Sequence, residues 1–298
     1  MYETYKRLCK IFESNFTKVQ GAGGNISIKK DNLMIIKSSG KTFCQTEKKD
    51  ISYIDISKYK IGKKRVNYLI SGNRESMETN FHMYFSNSIV IHLHDLNILL
   101  ITLINKTEEY VSFLKSQCSL SLKFAIVPYA HPGKELANQI SKFSDKDSDF
   151  VILESHGCIF TSNDDSNIEK LIKSIDKYTI KFLKNLEINP IKDDFKISLD
   201  IFKIAIDKIK KNDIYFPDQA VFLNESSINE IACHFNNKEN IDSIINNYLE
   251  NSIYELFKSI CAIISSANSK YKLNTLNMKN VRKLNDDPIE KRRKNLIN

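Results

Sequence analysis

The stretch IVIHLHDLN, Ile89 to Asn97, constrains the fold more than any other part of the chain. Ile89, Val90 and Ile91 are β-branched and Leu93 separates His92 from His94, so the run reads as a buried strand. Side chains alternate faces along a strand, which points His92 and His94 the same way, one pleat apart. Any sheet built around this strand must do one of two things with the pair. It leaves them on a surface with no special role, or it uses them as two ligands of one metal.

The surrounding pattern supplies the sheet. NISIKK and LMIIK read as two short strands joined at Asp31-Asn32, and Ser76 to Phe85 reads as a helix running into the histidine strand. Helices are expected near Leu96 to Ile104, Glu108 to Lys115 and Lys134 to Phe143, with strands at KFAIV (Lys123 to Val127) and DFVIL. From Asn167 to Leu186 apolar residues recur at helical spacing. Beyond Pro190 the pattern is mostly helical, with YFPDQAVFL (Tyr215 to Leu223) set apart, and the chain closes on the basic helix PIEKRRKNLIN. Strands alternating with helices argue for an α/β architecture. We expect a metal-binding α/β domain over residues 1–190 and a mostly helical extension over 191–298 packed on it.

Composition narrows the class. The 298 residues are 42% apolar and 27% charged, as expected of a globular protein with a sizeable core. The net charge of +8 invites a nucleic-acid reading, but only 6 of the 44 basic residues are arginine and the lysines are spread throughout. Recognition of nucleic acid draws on arginine's bidentate geometry, so no nucleic-acid partner is expected. A basic background still steers small anions inward. Six scattered cysteines, without a CxxC pair or a signal peptide ahead of them, fit free thiols in a cytoplasmic protein. The most apolar run, Ile89 to Ile104, holds two His and an Asp and is too short for a bilayer, so no membrane association is expected.

Of the six histidines, His156 follows the strand DFVIL in the stretch ESHG. A third imidazole at a strand end would complete a three-histidine site, an arrangement in which zinc keeps one position for water or substrate. Glu78 lies fourteen residues before His92 and offers a carboxylate, either as a fourth ligand or general base or as a plain first-turn residue of its helix. Glycine is scarce, eight in all, and three of them fall in GAGGNIS (Gly21 to Ser27), with another ending IIKSSG at Gly40. Both loops can expose backbone N–H groups, and Asn25, Ser27 and the KSSGK segment add side-chain donors suited to phosphate. Neither loop has the spacing of a Walker or dinucleotide motif.

GAGGNIS, IIKSSGK, RESMETNFH, HLH, PYAHPGKELA and SHG follow one another in the order of the class II aldolase/adducin family. The later YFPDQAVFL and VRKLNDDPIEKRRKNL resemble its longer, rhamnulose-aldolase-like subgroup. The resemblance implies a three-layer α/β/α fold with a central, mainly antiparallel sheet. It implies zinc held by His92, His94 and His156, with Glu78 as a resting ligand that turns base. It implies phosphate held by Asn25, Ser39, Gly40 and Ser76, and Tyr129 as a proton donor reaching a neighbouring subunit's site within a homotetramer. The implied activity is a zinc-dependent aldolase-type lyase that cleaves or forms a C–C bond in a ketose phosphate or related sugar through a metal-stabilised enediolate. Epimerisation, dehydration and decarboxylation run on the same metal site in other members. The adducin branch uses the fold as a non-catalytic scaffold, and the retained ligands here speak against that reading.

Two departures from the family pattern bear on the substrate. Glu75 replaces a proline beside the phosphate loop, where its charge would weaken anion binding unless Arg74, Lys37 or Lys41 offsets it. Asp95 replaces the proline that usually follows the second histidine. Other residues read as structural: His82 as a packing or capping residue near the site, His131 as a turn residue, Cys158 as core. The pair Cys233–His234 makes no metal site, and EKRRKN reads as a solvated helix end.

Overall fold

The structure is a computed structural model that describes residues 1–59, 68–72, 74–118, 122–223, 228–229, 251–267 and 269–297. The pair Cys233–His234 lies outside the described residues. Eight strands form one sheet: β1 Asn25–Lys30, β2 Leu33–Lys37, β3 Ile51–Asp55, β4 Leu69–Ser71, β5 Ile89–Leu93, β6 Phe124–Val127, β7 Phe150–Leu153 and β8 Gly157–Ser162. Their order is β4-β3-β2-β1-β5-β8-β7-β6. Every neighbouring pair is antiparallel except β6 with β7. That one parallel pair is bridged by a crossover helix, as parallel pairing requires.

The strand that carries the histidines lies between β1 and β8, and its alternation builds two cores. Ile89, Ile91 and Leu93 join Ile26, Phe150, Ile152 and Phe160 on one face. Helices α1 (Tyr2–Phe12), α3 (Leu96–Leu103), α4 (Thr107–Gln117) and α6 (Asp165–Asn185) contribute buried residues to that core. Val90 points the other way, to Val151, Ile159, Val127 and the short layer of α2 (Thr79–Tyr84) and α5 (Lys134–Phe143). Helices on both faces of one sheet give the three layers. The histidine at position 92 shares the Val90 face, which turns it toward α2.

The extension supplies α7 (Leu199–Lys210), α8 (Pro217–Phe222), α9 (Asn251–Ala267), α10 (Met278–Asp286) and α11 (Pro288–Ile297). α9 packs on α7, α3 and α8, while α10 and α11 close over α8. This explains why α3, LNILLITL, is buried on every side rather than amphipathic. Tyr215 to Leu223, set apart from the helical pattern in sequence, is itself largely helix: Pro217 occupies the first turn, where its missing N–H costs nothing, and Val221 and Phe222 enter the core. The turn at Asp31-Asn32 forms as expected, Asp31 taking a left-handed φ of 54°. The strands β3 and β4 were not legible in advance. No described helix is long and apolar enough to cross a membrane.

Candidate metal and anion site

The register of the sheet brings distant motifs to one place. Asn25 in β1 pairs directly with His92 in β5, so the glycine loop abuts the histidine strand. On the other side Leu93 pairs with Cys158, and the tight turn from β7 to β8 carries His156 beside the strand end. Gly157 permits that approach, because a Cβ there would sit 2.2 Å from the Leu93 carbonyl oxygen. Asp95 ends the histidine strand by capping α3: its Oδ1 accepts from the backbone N–H of Asn97 (2.9 Å) and Ile98 (3.0 Å). Its other oxygen is paired with Lys18. The proline-to-aspartate departure is thus a helix cap and a buried ion pair.

His92, His94 and His156 form a near-equilateral triangle, with ring centroids 5.0, 5.0 and 5.1 Å apart. Glu78, just before α2, completes a cluster whose four ligand atoms lie within 4.8 Å of one another. Phe81 from α2 stands edge-on to His92 at 5.6 Å and fixes the ring's other side. Glu78 Oε1 is 3.0 Å from His92 Nδ1. Yet that nitrogen has no aligned hydrogen bond among the described residues, nor do His92 Nε2, His94 Nε2, His156 Nδ1 or Glu78 Oε2. Buried polar atoms are rarely left so, and here several converge. The donor set fits a divalent cation, since a tetrahedral site with bonds of ~2.0–2.1 Å needs ligand atoms ~3.4 Å apart.

Burial keeps His94 and His156 well below the ordinary imidazole pKa, hence neutral and able to offer a lone pair. Burial pushes the Glu78 carboxyl up, but His92, then His82 and His156, pull it down further, so it stays ionised. His82 lies behind the cluster, where Ser27 Oγ meets its Nδ1 at 2.8 Å and burial lowers its pKa to about 3. The Cys158 thiol is fully buried and its pKa is pushed well up by burial, as suits a core residue.

The cluster opens into a cavity at the end of the histidine strand. Its walls include Asn25, Ser39, Gly40 and Ser76, the four residues expected to hold phosphate, together with Glu78, His94 and His156. Lys37 also lines it, but its ammonium is spent on holding the two loops together, donating to the carbonyls of Ala22 (2.7 Å), Gly23 (3.3 Å) and Lys41 (2.7 Å). Glu75, whose backbone pairs with Ser38 of the loop, does not line the cavity and accepts a hydrogen bond from Tyr68 (3.2 Å). Tyr129 is likewise absent from the walls. Its half-buried ring packs on the core, and burial raises its pKa. His131 Nε2 meets Asp287 Oδ2 at 2.6 Å, anchoring the turn to the extension.

Two wall residues had no role assigned from the sequence, although both fall in the later family-like stretches: Asp218 from α8 and Arg293 from α11. The closing helix is therefore not simply a solvated end. Arg293 Nη2 donates to Asp218 Oδ1 at 2.7 Å and Nη1 to Glu290 at 3.0 Å. Burial opposes that charge, and the two carboxylates outweigh it, raising the guanidinium's pKa. A basic run looks alike in sequence whether wet or buried, and the i,i+3 spacing of Glu290 and Arg293 occurs on both kinds of helix face.

The family model for the class II aldolase and adducin N-terminal domain matches residues 6–174, and the chain belongs to that family. It is a class II aldolase-like enzyme. Over 152 residues it is 31% identical to an L-fuculose phosphate aldolase of Methanococcus vannielii, covering 47% of this chain and 73% of that protein. An L-fuculose phosphate aldolase of Methanocaldococcus jannaschii is 27% identical over 170 residues, covering 53% of this chain and 82% of that one. Among solved structures, the N-terminal class II aldolase domain of a conserved protein from Thermoplasma acidophilum aligns with a TM-score of 0.49 at 19% identity, covering 61% of this chain and 91% of that one.

Proposed function

We propose that the chain is a zinc-dependent aldolase-type lyase acting on a ketose phosphate or related sugar. The observation that carries the reading is the meeting, in one cavity, of the Glu78–His92–His94–His156 cluster and the residues expected to hold phosphate. His92, His94 and His156 would hold the ion, with Glu78 as resting ligand. When bound, zinc supplies Lewis-acid stabilisation of negative charge on a carbonyl and its neighbouring hydroxyl oxygen. Asn25, Ser39, Gly40 and Ser76 would hold the substrate phosphate, and binding so remote from the reacting carbons orients the chain of the sugar. Glu78, ionised, takes the proton released as the C–C bond breaks and returns one to the carbonyl-bearing fragment. Asp218, also on the wall, is tied up by Arg293 and is not available for that task. Tyr129, kept protonated by burial, would serve a neighbouring subunit of a homotetramer as proton donor.

The same reading assigns residues 1–190 to the metal-binding body and 191–298 to a helical extension. It places the enzyme in the cytoplasm, in keeping with the free thiols of Cys9, Cys44, Cys118, Cys158 and Cys261. L-fuculose phosphate aldolases among the relatives support a sugar phosphate as substrate. The test is a panel of ketose 1-phosphates assayed for dihydroxyacetone phosphate. We expect release from at least one, and a loss of ~10²–10⁴-fold in kcat for Glu78→Gln. Substrate consumed without any C–C cleavage product would replace cleavage by epimerisation, dehydration or decarboxylation at the same site.

A further inference from the structure

Asp218 and Arg293 lie beyond residues 6–174, the part of the chain the family model matches, yet they stand at the ligand cluster. Asp218 Oδ2 is 3.5 Å from Nδ1 of His94. On the far side of the same ring, Nε2 is buried and has no hydrogen-bond partner among the described residues. One nitrogen therefore faces a carboxylate and the other faces the cluster. The glycine loop runs close against that edge of the ring, where a Cβ on Gly23 would lie 2.6 Å from His94 Nδ1. Asp218 is itself held, because its other oxygen receives Arg293 Nη2 and the Arg293 guanidinium lies 5.0 Å over the Phe222 ring. Glu290 takes the second arm of the guanidinium.

We propose that Asp218 is a positioning residue for the metal centre. It accepts the Nδ1–H of His94, selects the tautomer that presents Nε2 to the ion, and is kept in place by Arg293. The helical extension is then a working part of the site, with α8 supplying the carboxylate and α11 the clamp. Carboxylates that take the second N–H of a ligating histidine raise the ligand's basicity and fix its orientation. The inference rests on the zinc reading above and concerns residues that reading does not use.

The test is zinc affinity of the full-length apoprotein, measured by competition with a chromogenic chelator, beside the electronic spectrum of the cobalt-loaded protein. Asp218→Asn is expected to weaken zinc binding ~10–100-fold and to alter the cobalt spectrum. Should that variant fail to fold with Arg293 half-unpaired, Asp218→Asn/Arg293→Gln removes both charges together and is held to the same expectation. A folded variant that binds zinc within about twofold of wild type, with only its unfolding midpoint lowered, would make the pair a mere fastening of the extension and overturn the inference alone. A wild type that takes up no zinc would overturn it together with the proposed function.

Discussion

Lys37 stands in the wall of the cavity beside the cluster but works on the protein itself, strapping the GAGG loop to the KSSGK loop through three carbonyls. Burial lowers its pKa to about 8, against ~10.4 in an unfolded chain. Between those values the unfolded chain binds more protons than the folded one. The cost of the buried charge is therefore present in full below pH 8 and is relieved as pH rises toward 10.4. Denaturant unfolding of wild type against Lys37→Met should show the difference moving in favour of wild type across that window, by at most ~1.4 kcal/mol per pH unit. A difference that is flat with pH would mean the ammonium is not buried as described. Gly23 gives a second test at this scale. Gly23→Ala puts a methyl against His94 Nδ1 and the Gln20 carbonyl, at 2.6 and 2.9 Å. Zinc titration should find at least ~10-fold weaker binding, and unchanged affinity would contradict the placement of that ring.

Among the elements, α3 shows most clearly what could be read in advance and what could not. Its boundaries and the strand before it follow from local pattern, because β-branched residues and a capping aspartate act within a few residues of themselves. The partners of Asp95 do not. Lys18 lies 77 residues away and is shared with Asp176, a pairing that depends on how α1 and α6 pack on the sheet. Asp95→Ala removes the cap and leaves a buried lysine short of a partner, so unfolding measurements should find a loss of ~3–5 kcal/mol. A loss under ~1 kcal/mol would reduce Asp95 to a surface cap. The Glu78–His92–His94–His156 cluster was legible for the same reason as the strand. HxH sets two ligands by pleat alone, and SHG and ETNFH are compact motifs. The strands β3 and β4 were not, since charged residues crowd both ends of β3 and β4 is only three residues long. Helix α8 was missed because its proline reads as a breaker until it is seen to occupy the first turn.

For the molecule as a whole, the central point is that the extension closes over the site instead of merely following it in sequence. Asp218 and Arg293 fall in the two later family-like stretches, YFPDQAVFL and VRKLNDDPIEKRRKNL, but their pairing was beyond sequence reasoning, because only tertiary packing joins them across 75 residues. Glu75 illustrates the converse. Its charge looked hostile to a phosphate, and the fold sets its carboxylate against Tyr68, outside the cavity wall. Assembly belongs to this scale too. The proposed role of Tyr129 needs a neighbouring subunit, so sedimentation velocity should find a tetramer, and a strict monomer with full activity would remove Tyr129 from the chemistry.

The most direct test of the account is the metal content of the purified protein by elemental mass spectrometry, alongside a His92→Ala/His94→Ala variant. About one zinc, or another divalent ion, per chain is expected in the wild type and none in a folded variant. A wild type that is metal-free, and still empty after incubation with zinc, would contradict the account and leave a class II aldolase-like fold without the site on which its chemistry depends.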